Sequence, residues 1–355
     1  MSHLFEEMKL KEVTLRNRIG VSPMCQYSAE DGKMNNWHLV HIGSRAAGGA
    51  GLVMVEATGV ESRGRITPGC TGIWNDGHIS FLSRVSDFVK EQGAVAGIQI
   101  GHAGRKASCA TTWEGGHYLS DEEGGWEPIG PSAISMHEQG RIPREMNTAD
   151  IEQVQEAFRT ATIRAEKSGF DLLEVHGAHG YLMHSFHSPI SNKRTDQYGG
   201  PFENRIKFTV DTLKIVREEW SQDKPLCIRL SCSDYVDGGW TLEDTVKLSS
   251  VLKEIGVDLI DCSGGGSTPK ADIPVGPGYQ VPFSETIRKS VAIPTASVGL
   301  ITEPFQADQI IRNGQADVVF LGRAFLRDPY WPYRAAITLG QKEKSYIPKQ
   351  YHRAM

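Results

Sequence analysis

Four histidines fall within twelve residues, at positions 176, 179, 184 and 187, and Tyr181 stands two residues after the second of them. Such a cluster admits two chemistries. One is a metal site, since neutral imidazole is a common zinc ligand. The other is a pair of neutral donors, His176 and His179, binding an oxygen on which negative charge develops. Tyr181 would then deliver a proton. No carboxylate beside the pair completes a recognisable ligand set. Glu174 is expected to point away, because it shares a face with His176 only if the preceding strand stays regular. The donor pair is therefore favoured over a metal. The plainer alternative for Tyr181 is an aromatic wall residue.

Other chemically expressive residues are scattered along the chain. Arg229 interrupts the apolar run Leu226–Ser231. A buried arginine needs a partner, so it is either an ion pair with Asp261 or a positive charge facing an anionic ligand, and the two readings stand level. Gly299 and the pair Gly322–Arg323 suit a phosphate held by backbone N–H groups and a guanidinium. The competing reading is two ordinary turns, with Arg323 paired to Asp328. Cys25 has no activating histidine beside it and reads as a small apolar residue rather than a nucleophile.

These residues need a scaffold that gathers them. Short apolar runs fall at Arg18–Ser22, Gly51–Ala57, Ala94–Ile100, Leu172–Val175, Leu226–Ser231, Leu259–Cys262, Thr295–Val298 and Val318–Leu321. Apolar throughout rather than alternating, they fit parallel strands covered on both faces. Amphipathic stretches lie between them: Trp37–Gly48, His78–Glu91, Thr148–Ser168, Phe202–Glu218, Thr241–Ile255, Phe283–Lys289, Glu303–Asn313 and Tyr330–Leu339. Eight strands alternating with eight helices predict an α/β fold, a (β/α)8 TIM barrel. The other candidate, an open doubly wound sheet, would carry G-x-G-x-x-G after its first strand, and none is there. Met8–Leu15 reads as a hairpin cap on the barrel bottom. Residues 103–147 form a long insertion after the third strand, whose Trp113 and Trp126 favour a lid or subunit contact. A tail, 340–355, follows the last helix, and the whole chain reads as one barrel domain. In such barrels chemistry sits at the C-terminal ends of the strands, which is where the expressive residues fall.

The chain has 355 residues, 38 Lys and Arg against 43 Asp and Glu, and a net charge of −5. No basic excess supports nucleic-acid binding, and no apolar run reaches the ~20 residues of a membrane span. The N-terminus does not read as a secretory signal. Six cysteines without a CxxC pair argue against a disulfide framework, a zinc ribbon or an iron–sulfur cluster. A cytoplasmic location is expected.

With these residues in place, the chain resembles the Old Yellow Enzyme family of FMN-dependent ene-reductases, and within it the thermophilic-like branch. The segments that carry the likeness include LRNRIGVSPMCQYSAEDG, GIQIGHAGRKA, DLLEVHGAHGYLMHSFHSPISNKRTDQYGG, ASVGLIT and VFLGRAFLRDPYWP. They extend from about Leu4 to the C-terminus.

The resemblance implies that Ser22, Pro23, Met24, Cys25, Ala57, Gln99, Arg229, Gly299, Gly322 and Arg323 bind FMN. Gln99 would meet the flavin pyrimidine edge, Arg229 the side where charge collects on reduction, and Gly299, Gly322 and Arg323 the phosphate. Cys25 would tune the flavin. His176 and His179 would bind the substrate carbonyl, Tyr181 would donate the proton, and Tyr27 would help close the pocket. The implied reaction consumes NADPH or NADH. Hydride passes from flavin N5 to Cβ of an α,β-unsaturated carbonyl compound, a proton passes from Tyr181 to Cα, and nitro compounds form a further substrate class. The likeness also implies a homodimer, or a tetramer of dimers, with Arg353 completing the neighbour's site. Met355 replaces an aromatic residue often found at that terminus. Two other classes remain as alternatives: a metal-dependent barrel hydrolase or aldolase using His176 and His179, and a non-catalytic flavin-binding protein.

Overall fold

The apolar runs become the staves of a closed barrel. The computed structural model describes residues 3–137 and 140–354; Met355, and Glu138 and Gln139 of the insertion, lie outside the described residues. The strands are β1 (Ile19–Val21), β2 (Leu52–Gly59), β3 (Val95–Gly101), β4 (Leu172–Gly177), β5 (Leu226–Ser231), β6 (Leu259–Ser263), β7 (Thr295–Ser297) and β8 (Val318–Leu321). Each pairs in parallel with the next, and β8 closes on β1. The expected barrel is therefore present.

Helices at Asn36–Ala47, Ile79–Glu91, Thr148–Lys167, Phe202–Glu219, Leu242–Glu254, Val281–Val291, Pro304–Arg312 and Trp331–Thr338 follow the strands. Side-chain caps explain where several begin. The Asn147 side chain accepts from the Asp150 N–H while Asp150 accepts from the Asn147 N–H, each at 2.9 Å. Thr241 caps Leu242–Glu254 in the same way. Two short helices directly after strands, Leu182–His187 and Arg323–Arg327, were not expected.

Strand alternation divides the side chains. Leu173, Val175, Ile228, Leu230 and Ile260 belong to the larger core cluster, which also takes in the buried faces of the helices. Leu52, Met54, Val95, Leu172, Cys227, Leu259, Val318 and Phe320 form a second cluster that plugs one end of the barrel. Met8–Leu10 pairs antiparallel with Val13–Leu15, and Met8, Leu10 and Leu15 join that plug, so the hairpin is the expected cap.

The described part of the insertion is tied to itself and to the barrel mouth. Tyr118 donates to the Arg105 carbonyl at 3.1 Å and Trp126 Nε1 to the Arg63 carbonyl at 2.8 Å. Its Trp113 ring lies 6.1 Å from Tyr27, at the mouth of the barrel. Among the described residues no helix is long and apolar enough to cross a membrane.

Candidate active site

Strand β4 stays regular through Gly177, two residues further than its apolar run. Glu174 and His176 therefore share the inward face, and the expectation that Glu174 points away is wrong. The register sets Glu174 opposite Gln99 and His176 opposite Arg229. After β4 the chain turns sharply: His179 has φ +59° and Gly180 φ +72°. A side chain at Gly266 would come within 2.6 Å of the His179 backbone, so glycine there permits the turn.

The turn brings three rings together. His176 and His179 lie 5.1 Å apart, and Tyr181 lies 5.0 Å from His176 and 6.5 Å from His179. His179 Nδ1 is 3.4 Å from His176 Nε2, and His179 Nε2 is 2.7 Å from Ser263 Oγ. Burial, reinforced by the Arg229 charge, holds both imidazoles well below their usual value, so both are neutral. Burial likewise pushes the Tyr181 phenol well above its usual range. Two neutral N–H donors beside a protonated phenol can bind an oxyanion and hold a proton ready for transfer.

Lys106 was missed by the sequence reading. Its Nζ donates to the carbonyls of His179 at 2.8 Å and Gly266 at 3.2 Å and lies 4.9 Å from the Tyr181 ring centroid. It stands more than seventy residues before the carbonyls it binds, so although it lies in the segment GIQIGHAGRKA its partners are not visible in the sequence.

The β1 segment supplies another wall. Ser22 is buried and accepts from Arg229 Nη1 at 3.2 Å. Pro23, Met24 and Cys25 follow, half-buried, and Tyr27 takes φ +49°. Glu56 fixes this turn from behind, accepting from the Gln26 N–H and lying 3.2 Å from His38 Nε2. Burial, with Cys70 and Glu56 nearby, raises the Cys25 thiol, so it is not a ready thiolate. Ala57 stands beside it at a bulge in the β2–β3 pairing. All six cysteines are free thiols.

Beneath lies a buried polar layer. Arg229 Nε is 3.1 Å from Asp261 Oδ2, so the ion pair weighed from the sequence is present. Arg229 also lines a cavity of about 280 Å³ with Gly299, Gly322, Arg323 and Arg327, so it faces open space as well. Asp328 is taken by Arg334, not by Arg323. Gly299 has φ +127°, and the nearest atom to a side chain at Gly322 would be Met24 Sδ at 3.8 Å. Loop backbone and two guanidiniums thus converge where a phosphate could sit. Among the described residues no three His, Cys, Asp or Glu converge as a metal-ligand set.

The structure does not bring Arg353 to this site within its own chain. It is exposed, in the terminal turn Lys349–Ala354. The tail contacts its own chain through Arg16 against Tyr346 and Tyr330 against Tyr351.

The comparisons agree with the geometry. A model of the NADH:flavin oxidoreductase / NADH oxidase family matches residues 3–342. An NADPH dehydrogenase of Geobacillus sp. (strain WCH70) is 49% identical over 352 residues, 99% of this chain and 98% of that protein. The solved structure of morphinone reductase superposes with a TM-score of 0.79 at 27% identity, covering 95% of this chain and 90% of that one. A 2-naphthoyl-CoA reductase complex gives a TM-score of 0.87 at 26% identity over 97% of this chain, which spans only 53% of that protein. The chain belongs to the NADH:flavin oxidoreductase / NADH oxidase family, the Old Yellow Enzyme group to which its motifs point.

Proposed function

We propose that the chain is an FMN-dependent reductase that consumes NADPH or NADH and reduces the activated C=C bond of α,β-unsaturated carbonyl compounds. The observation that carries this reading is a single barrel mouth. It holds a cavity running from the buried Arg229 to Gly299, Gly322 and Arg323, and beside it the neutral His176–His179 pair and Tyr181. The name of the Geobacillus relative favours NADPH as reductant.

The residues fit the cofactor. Glu174 Oε2 and Asp261 Oδ1 are buried without a hydrogen-bond partner among the described residues, so the polar layer is not closed by protein alone. The cavity lined by Gly299 and Gly322 leaves the phosphate end open. Ser22, Pro23, Met24, Cys25, Ala57, Gln99 and Arg229 would hold the ring, and Gly299, Gly322 and Arg323 the phosphate. When bound, FMN supplies hydride gained from the nicotinamide and passed to the substrate β-carbon.

The chain's own residues do the rest. His176 and His179 bind and polarise the carbonyl oxygen as neutral donors. Tyr181 holds the proton for Cα on its phenol oxygen. Arg229 provides the positive charge that favours an electron-rich cofactor ring. Tyr27 and Trp113 cover the mouth and restrict water.

A homodimer, or a tetramer of such dimers, with Arg353 in the neighbour's site belongs to the same reading. It is supported by exposed apolar residues on the helix after β1. Trp37 is 55% and Val40 65% exposed, and Trp37 Nε1 donates to Gln26 beside Cys25. Removing Gln350–Met355 should raise the KM for enone without lowering the melting temperature; unchanged kinetics would remove Arg353 from the site.

Rapid-mixing kinetics of Tyr181→Phe test the chemistry. Reoxidation of the reduced enzyme by cyclohex-2-enone should slow about 10²–10⁴-fold, while reduction by NADPH stays near wild type. Equal slowing of both half-reactions would contradict a proton-donor role.

A further inference from the structure

Gln99 and Glu174 face each other across β3 and β4, each only 1% exposed. Gln99 Nε2 donates to Glu174 Oε1 at 2.7 Å. Glu174 Oε2 is buried with no hydrogen-bond partner among the described residues. The next strands carry Arg229 and Asp261 in the same layer, 3.1 Å apart. The interior thus holds two carboxylates and one guanidinium beside a neutral amide.

A glutamine amide has a donor end and an acceptor end of nearly equal shape, and only its partners decide which way round it sits. An ionised carboxylate has no proton to give. Facing ionised Glu174, Gln99 can turn only its NH2 end inward, which leaves the carbonyl oxygen for a ligand. Burial first, then the Asp261 charge, pushes the Glu174 carboxyl up to about 8 against the pull of Arg229 and of the Gln99 hydrogen bond, so the ionised form and its constraint on the amide prevail above that pH. A carboxylic acid or a second amide at position 174 would offer both a donor and an acceptor and would lift the constraint.

We propose that ionised Glu174 is a positioning residue: by accepting from Gln99 Nε2 it fixes the Gln99 amide so that its carbonyl oxygen faces the imide N–H on the pyrimidine edge of the bound flavin. Glu174 acts through Gln99 and does not touch the flavin itself. The inference rests on the FMN reading above.

A double-mutant cycle on FMN affinity tests it. The dissociation constant of apoprotein for FMN is read from quenching of flavin fluorescence at pH 9, above the raised Glu174 value. Glu174→Gln keeps size and polarity but offers both kinds of hydrogen bond. It should weaken FMN about tenfold in the wild-type background, the loss of one well-made hydrogen bond. In the Gln99→Ala background the same change should weaken FMN less than twofold. The midpoint potential should follow the pattern, rising in Glu174→Gln because a freed amide can donate to the electron-rich reduced ring, and rising less when Gln99 is absent. Equal weakening in both backgrounds would show a general structural role and overturn the proposal, as would unchanged affinity in Glu174→Gln. If circular dichroism shows that Glu174→Gln does not fold, Glu174→Asp takes its place in the cycle. It keeps the charge but withdraws the oxygen from Gln99, and the same two outcomes decide. Failure of the wild-type apoprotein to take up FMN is a separate result: it would sink the FMN reading and this inference with it.

Discussion

The two ends of the barrel interior are built from the same strands, yet their chemistry is opposite. At one end Leu172, Cys227 and Leu259 interlock with Met54 and Phe320 under the hairpin and form a dry plug. Two residues further along the same three strands stand Glu174, Arg229 and Asp261, all buried. The plug satisfies itself, because apolar side chains need only close packing. The polar layer does not: Glu174 Oε2 and Asp261 Oδ1 lack hydrogen-bond partners among the described residues, and a cavity opens beside Arg229. Buried polar groups left open in this way cost stability. Their presence on one side only marks which end is for folding and which is for a ligand.

The difference can be broken from either side. The largest effect is expected from Arg229→Ala. It leaves Asp261 without its cation inside the barrel, which should cost about 3–5 kcal/mol of stability. It should also abolish flavin retention on gel filtration. Chemical denaturation and the visible spectrum check the two parts.

Leu172→Ala, one turn of the alternation below Glu174, should cost about 2–5 kcal/mol through the cavity it leaves. The folded variant should still hold flavin and turn over enone with near wild-type kcat. A plug variant that lost flavin while folded would blur the division between the two ends.

A smaller effect follows from pH. Burial first, then nearby positive charge, holds His176, His179 and His187 well below their usual value. Below about pH 6.5 the unfolded chain binds protons at these positions that the folded chain does not. The contribution of these histidines to stability is therefore full above that pH and falls on acidification, by up to about 1.4 kcal/mol per pH unit for each of them. Denaturation curves at pH 7.5 and 5.5 measure the loss. His176→Gln and His179→Gln should each lessen it; an unchanged loss would mean that other groups carry it.

Much of the scaffold was legible because its strands are short apolar runs with clear ends. Leu226–Ser231 and Val318–Leu321 match the expected bounds. The helices Leu182–His187 and Arg323–Arg327 were not legible, being too short to show a helical period. His176, His179 and Tyr181 could be grouped because they are contiguous after a strand. Glu174 was placed on the wrong face, because its facing depends on how far β4 stays regular, and a shift of one residue reverses it. Lys106 and Arg327 lie within the segments GIQIGHAGRKA and VFLGRAFLRDPYWP, but their places beside the site follow only from tertiary packing.

The central claim is that the open polar end of the barrel holds FMN. The most direct measurement is the visible absorption of the purified protein, followed by identification of what heat denaturation releases. Flavin bands and one equivalent of FMN, with no FAD, are expected. A colourless protein that gains no flavin bands when incubated with FMN would contradict it.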